Sequence, residues 1–230
     1  MSKPSCTVAK AVDVEGNFYN TVQIGNQCWM KENLRTQYYP DHNLIGSGGS
    51  NSSSTTGYYY NYSSSSLTLE QRGYLYNWAA VMHGASSSSA NPSGVQGICP
   101  SGWHVPSDAE WTQLKNYVGS VSNYQCSGSS TYIAKALAST TGWTYYNPYN
   151  YSCAVCNNQT SNNATGFNAY PAGYWNNAFY DSGESTYFWS STVSSGSNTK
   201  IQQIDNDDSL MYSSTSSNSS GRSVRCVRNE

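Results

Sequence analysis

The stretch Cys99-Pro-Ser-Gly-Trp-His-Val-Pro-Ser-Asp-Ala-Glu-Trp111 joins a turn to the clearest helix start in the chain. Ser107 stands three residues before Glu110, the spacing of a capping box. There the hydroxyl accepts from the N–H at the third helical position and the carboxylate accepts from the N–H of the cap itself, so two donors that a helix start leaves free are satisfied. Trp111, Leu114 and Val118 follow on one helical face. The pattern predicts a helix from about Ser107 to Val118. His104, inside the turn, reads as a hydrogen-bonded structural histidine.

Towards the amino terminus, Leu75, Trp78, Ala79 and Met82 take the i, i+3, i+4, i+7 spacing of a second core helix within Gly73 to Met82. Residues 41–66 are rich in Gly, Ser, Asn and Tyr, lack a helical period, and read as an irregular surface loop. Asn17-Phe-Tyr-Asn-Thr-Val-Gln-Ile-Gly25 alternates apolar and polar positions ahead of a Gly25-Asn26 turn, which predicts a hairpin running on into Cys28-Trp-Met30. Towards the carboxyl end, Tyr132 to Ala138 has short helical character, while Tyr187 to Thr192, Thr199 to Asn206 and Ser223 to Arg228 read as strands. Two main helices among short strands and long loops define an α+β chain. It is read as one domain over 1–230, with 1–13 an extension tied down by Cys6.

Only 10% of residues are charged, against about 25% in an average soluble domain. Aromatic residues reach 14%, with 21 Tyr and 7 Trp. A disordered chain needs the opposite balance, and a net charge of −2 without a Lys/Arg cluster argues against nucleic acid as a partner. No apolar run approaches the roughly 20 residues of a membrane helix, so direct insertion into a bilayer is not expected. A surface of Tyr, Ser, Asn and Gly is the palette of antibody-type combining sites. Nucleophile-elbow, zincin, Walker and dinucleotide motifs are absent and His42, His83 and His104 lie far apart, so no enzyme is expected. Asp205-Asn-Asp-Asp208 supplies hard oxygens for calcium but lacks the spacing and bidentate Glu of an EF-hand. It reads as a solvated acidic turn, with calcium the alternative and no cofactor otherwise expected.

Seven cysteines, an odd number, include one short spacing, Cys153-Ala-Val-Cys156, with no second pair or histidine to complete a zinc site. Three disulfides and one spare thiol are expected, which points to an oxidising, extracellular or cell-surface setting. Residues alone leave fifteen pairings open for six cysteines. Met1-Ser-Lys-Pro-Ser-Cys6 lacks the apolar stretch of a signal peptide. Removal of a leader, or another route such as a virion, is therefore implied.

Taken in order, Gly16 to Gly25, Cys28-Trp-Met-Lys-Glu-Asn-Leu-Arg35, Gly73-Tyr-Leu-Tyr-Asn-Trp78, Cys99 to Pro106, Gly166-Phe-Asn-Ala-Tyr-Pro-Ala-Gly-Tyr174, Phe188-Trp-Ser-Ser-Thr192 and Ser223-Val-Arg-Cys-Val-Arg228 carry a family resemblance. The chain resembles the Fibrobacter succinogenes major paralogous domain family of bacterial surface proteins. The resemblance implies a disulfide-stabilised C-type lectin-like fold and the pairs Cys99–Cys226, Cys6–Cys28 and Cys126–Cys153, with Cys156 left over. It is also similar to the variable proteins of diversity-generating retroelements, which implies a diversified, ligand-binding stretch at 199–220. Lys200, Gln202 and Gln203 do not derive from adenine changes in an Asn codon and depart from that pattern.

The function so implied is non-enzymatic recognition of a protein or carbohydrate ligand. Candidate contacts are Lys200, Gln202, Asp205, Asp207, Asp208, Tyr212 and Ser214, helped by Trp175 and Tyr180 from the preceding aromatic loop. The rival reading is a structural subunit of a surface layer, fibre or pilus that self-associates.

Overall fold

The computed structural model describes Cys6 and residues 10–229. Its best-defined helix, α1 (Asp108–Ser120), begins where the capping box puts it: Ser107 Oγ accepts from Glu110 N at 3.2 Å and Glu110 Oε2 accepts from Ser107 N at 2.9 Å. Glu110 is fully buried, and its other oxygen meets His104 Nε2 at 2.6 Å. One carboxylate thus starts the helix and fastens the preceding turn to it.

Strands β1 (Thr21–Ile24) and β2 (Gln27–Met30) form the expected hairpin over Gly25 and Asn26. Gly25 has φ +60°, in the left-handed region that a tight turn requires and that glycine enters without steric cost. The largest ladder comprises β3 (Ser185–Ser195), β4 (Asn198–Asp205) and β5 (Met211–Ser217), antiparallel and in that order. The last strand, β6 (Val227–Asn229), returns to pair with β2 and completes a second three-stranded sheet with β1.

The longer sheet lies between two apolar clusters, and the strand pleat sorts its residues between them. Phe188, Ile204 and Met211 join Trp29, Trp111 and Phe167 on the α1 side. Trp189 and Ile201 join Met30, Trp103 and the Cys99–Cys226 pair on the other. Burial on both faces explains why Tyr187-Phe-Trp189 is continuously aromatic, with no apolar and polar alternation. The Trp29 and Trp111 rings stand 4.5 Å apart and bring the hairpin onto the helix.

The second main helix predicted over Gly73 to Met82 is not formed. Leu75–Tyr76 is a strand pairing with Tyr59 and Tyr60, and only Trp78–Met82 is helical. Asn77 starts that helix by accepting from Ala80 N, and His83 ends it in the left-handed conformation. Leu75 and Met82 are both buried, but in different elements, so their helical spacing was coincidental. Tyr132 to Ala138 contains one helical turn, Ala134–Leu137. The fold is therefore α+β with one substantial helix.

All three disulfides join the pairs implied by the resemblance: Cys6–Cys28, Cys99–Cys226 and Cys126–Cys153. Cys156 is free and buried. Within 41–66, Gly46–Ser47 and Tyr58–Tyr60 form short strands, and Ile45 and Tyr60 reach the core.

Candidate functional site

The stretch 199–220 is mostly a strand hairpin, so its side chains divide by face. Residues paired across a ladder point the same way and successive residues alternate. Gln202 pairs with Phe188 and Ser213, which puts Lys200, Gln202 and Ser213 on the α1 face. Gln203 pairs with Tyr187 and Tyr212, which puts Asp205, Tyr212 and Ser214 on the opposite face. The expected contacts on this hairpin therefore do not form one surface.

Two of the expected contact residues lie inside the protein. Gln202 is 0% exposed; its Nε2 donates to Asp108 Oδ1 at 3.1 Å and its Oε1 accepts from Ser213 Oγ at 3.1 Å, fixing the sheet to the start of α1. Trp175 is 1% exposed and stacks on Tyr60 with ring centres 3.8 Å apart. Neither can touch a ligand from solvent, because strand pairing and ring stacking had already committed them to the core. Lys200 is half-buried opposite Thr215, while Tyr180 is exposed and stacked on Tyr174.

The turn between β4 and β5 is acidic and locally tied. Asp208 Oδ1 accepts from the backbone N–H groups of Ser209 and Leu210, and its Oδ2 accepts from Tyr212 Oη at 2.5 Å. That bond to a carboxylate, more than burial, pushes the Tyr212 phenol up to about 12. Asp205 accepts from Ser185 Oγ at 2.6 Å and from Gln203 Nε2 at 2.8 and 2.9 Å. Burial raises its carboxyl above the usual range, although these donors pull it down. Asp207 is partly exposed beside them. Among the described residues no group of three or more His, Cys, Asp or Glu side chains converges as a metal site would require.

Against this turn docks a loop that sequence reasoning passed over, Trp143-Thr-Tyr-Tyr-Asn-Pro-Tyr-Asn-Tyr151. Tyr145, Tyr146, Tyr149 and Tyr151 are 67, 58, 71 and 53% exposed. The segment following the loop is held to the turn by Val155 N donating to Asp208 O and Cys156 N donating to Asn206 O. The Cys156 thiol donates to Tyr146 O at 3.3 Å, and Cys153 is bonded to Cys126. The spare cysteine is thus a packing and hydrogen-bonding group at the base of the tyrosine loop. Tyr132 and Tyr151 flank a pocket of about 280 Å³ that also contains Asp208 and Leu210. Leu210 leads into a groove of about 570 Å³ between α1 and β5. The density of tyrosine between Asn and Pro, with no helical or strand period to place it in a core, was the signal that could have found this surface.

A disulfide-bonded core carrying a loop of exposed tyrosines beside a pocket defines an α+β domain with a polar aromatic face. The chain belongs to the family described as the Fibrobacter succinogenes major domain, whose model matches residues 22–228. No curated protein and no solved structure is significantly similar to it. The three disulfides are consistent with an extracellular or secreted environment. No helix among the described residues is long and apolar enough to cross a membrane.

Proposed function

We propose that the protein is a non-enzymatic recognition module that binds a protein or glycan ligand through the tyrosine face around Asp208. The observation that carries this reading is that Tyr145, Tyr146, Tyr149 and Tyr151 are exposed on one loop, that Tyr151 and Tyr132 line a pocket with Asp208, to which the exposed Tyr212 is bonded, and that Cys153 in this pocket is fixed by its bond to Cys126. Tyrosine presents large amphipathic area with few rotatable bonds, so ordering it on binding costs little entropy. Asp207 and Asp208 add acceptors for hydroxyl or cationic groups beside the rings. The test is a screen against glycan and protein arrays, repeated with Tyr149→Ala/Tyr151→Ala. A weakening of roughly tenfold or more at unchanged folding is expected for hot-spot aromatics; ligands bound equally by both proteins would refute the assignment.

The same reading takes the body as C-type lectin-like and residues 199–220 as open to retroelement diversification. The alternation of burial limits where change is tolerated. Thr199, Ile201, Gln202, Ile204, Asn206, Met211, Ser216, Asn218 and Ser220 are buried, so variation should concentrate at Asp205, Asp207, Asp208 and Tyr212 to Thr215. Clonal sequences of the gene's 3′ end test this, and differences spread evenly along the gene would exclude it. What supports the rival, a self-associating subunit, is the open outer edge of β5.

A further inference from the structure

We infer that the groove between α1 and β5 binds an extended segment of a partner protein, which adds to the sheet as a fourth strand and sets an Asp or Glu side chain against Lys115. This rests on the recognition reading above and names the chemistry of one ligand class.

The outer edge of β3 is already covered: Ser223 N donates to Tyr187 O, Trp189 N to Ser223 O and Ser191 N to Pro106 O. The outer edge of β5 differs. Among the described residues, the backbone groups of Met211 to Ser216 have no backbone hydrogen-bond partner outside β4. Natural edge strands are commonly guarded by a charge, a proline or a bulge. Met211-Tyr-Ser-Ser-Thr-Ser-Ser217 contains no charged residue and no proline, and its register with β4 is unbroken. A row of free main-chain donors and acceptors at strand spacing is complementary to another main chain, and a sugar ring does not reproduce it.

The groove beside this edge gives the added strand somewhere to place side chains. Ile133, Leu210 and Met211 give it apolar lining, with Asn116 and Gly119 of α1 across from them. Alternate side chains of an added strand would point into this space. Among the described residues Lys115 is the one charged side chain lining the groove; it donates to Ser213 Oγ and has its ammonium pushed down by burial. An incoming carboxylate would supply the anion that this half-buried cation faces only at a distance, in Asp108.

The test selects short random peptides displayed on phage against the intact protein and remakes the winners synthetically. Expected winners carry an acidic residue with an apolar residue two positions away. Single N-methyl groups along the peptide should weaken binding roughly tenfold or more at alternate positions and leave it unchanged between them, because only alternate amides join a ladder. Lys115→Gln should weaken binding by a similar factor and remove the acidic preference, and bound peptide should slow amide exchange in Met211 to Ser216. Failure to enrich peptides, N-methyl effects without alternation, or binding indifferent to Lys115→Gln overturns the inference. A protein dimer that excludes the peptides would assign the edge to a second copy and also overturns it. Peptide binding that survives Tyr149→Ala/Tyr151→Ala, with array ligands bound equally by both proteins, would sink the tyrosine face alone.

Discussion

Tyr212 Oη donates to Asp208 Oδ2 at 2.5 Å across the turn that joins β4 to β5. The two residues lie four apart, yet the bond orients a ring on one sheet face and neutralises the polar demand of a carboxylate beside the tyrosine pocket. Because the carboxylate favours the protonated phenol, removing it should return Tyr212 towards an ordinary tyrosine. In Asp208→Asn the phenol, now about 12, is expected to fall towards the ordinary tyrosine value, held above it by burial and by Asp205 and Asp207. Carbon-13 labelling of tyrosine Cζ with NMR titration reads this directly, and an unchanged value would show that the bond is not formed in solution.

Asp205 carries an opposite lesson. Burial raises its folded-state pKa, so the folded protein holds the proton more tightly than the unfolded chain does. Its contribution to stability is therefore present at low pH and is lost as pH rises from about 3.9, the unfolded value, through the folded value. At pH 7 the ionised group is carried at a cost. Asp205→Asn is expected to stabilise the protein at neutral pH by up to about 1 kcal/mol after allowance for partial solvent screening. The gain should fade as pH falls well below the unfolded value, where the carboxyl is neutral in both states. Urea midpoints across pH check both parts.

Arg225 is wholly buried, with no carboxylate partner among the described residues. Its guanidinium donates to the carbonyls of Met30, Phe167 and Asn168 and to Asn33 Oδ1, and lies over the rings of Phe167 and Phe188. Burial pushes it down to about 9, still above neutrality. Arg225→Met would leave those acceptors unpaired and is expected to cost about 3 to 5 kcal/mol. Denaturant midpoints should show the loss, with Arg225→Lys intermediate because an ammonium cannot span the same acceptors.

Cys99 and Cys226 are 127 residues apart in sequence. In the chain-entropy account a loop of that length contributes roughly 4 to 5 kcal/mol. Cys99→Ala/Cys226→Ala should fall in unfolding free energy by about that amount, whereas removing the Cys126–Cys153 bond, which closes a far shorter loop, should cost less. Calorimetry of the two double variants gives the ranking, and equal losses would contradict it.

What could be read in advance was local. The Ser107 and Glu110 cap, and the Gly25 and Asn26 turn, depend on neighbours a few residues away, and both formed as expected. Leu75 and Met82 misled because strand Leu75–Tyr76 is decided by a distant partner, Tyr59 and Tyr60. Gln202 and Trp175 failed as contact residues for the same cause: which side of a strand faces water depends on what packs there. The exposed tyrosines at 145 to 151 lie outside the 199–220 stretch to which the resemblance points, and only their density in the sequence marks them.

Strands β2 and β6 also determine how the domain would bear load. Cys6 is bonded to Cys28, and Cys28 lies directly across from Arg228 on β6. Tension applied between residue 6 and residue 229 would pass through one sulfur bridge and a short ladder, bypassing the intervening two hundred or so positions. The tyrosine loop and the groove would hang outside that line of force and keep their shape while the ladder carries the load.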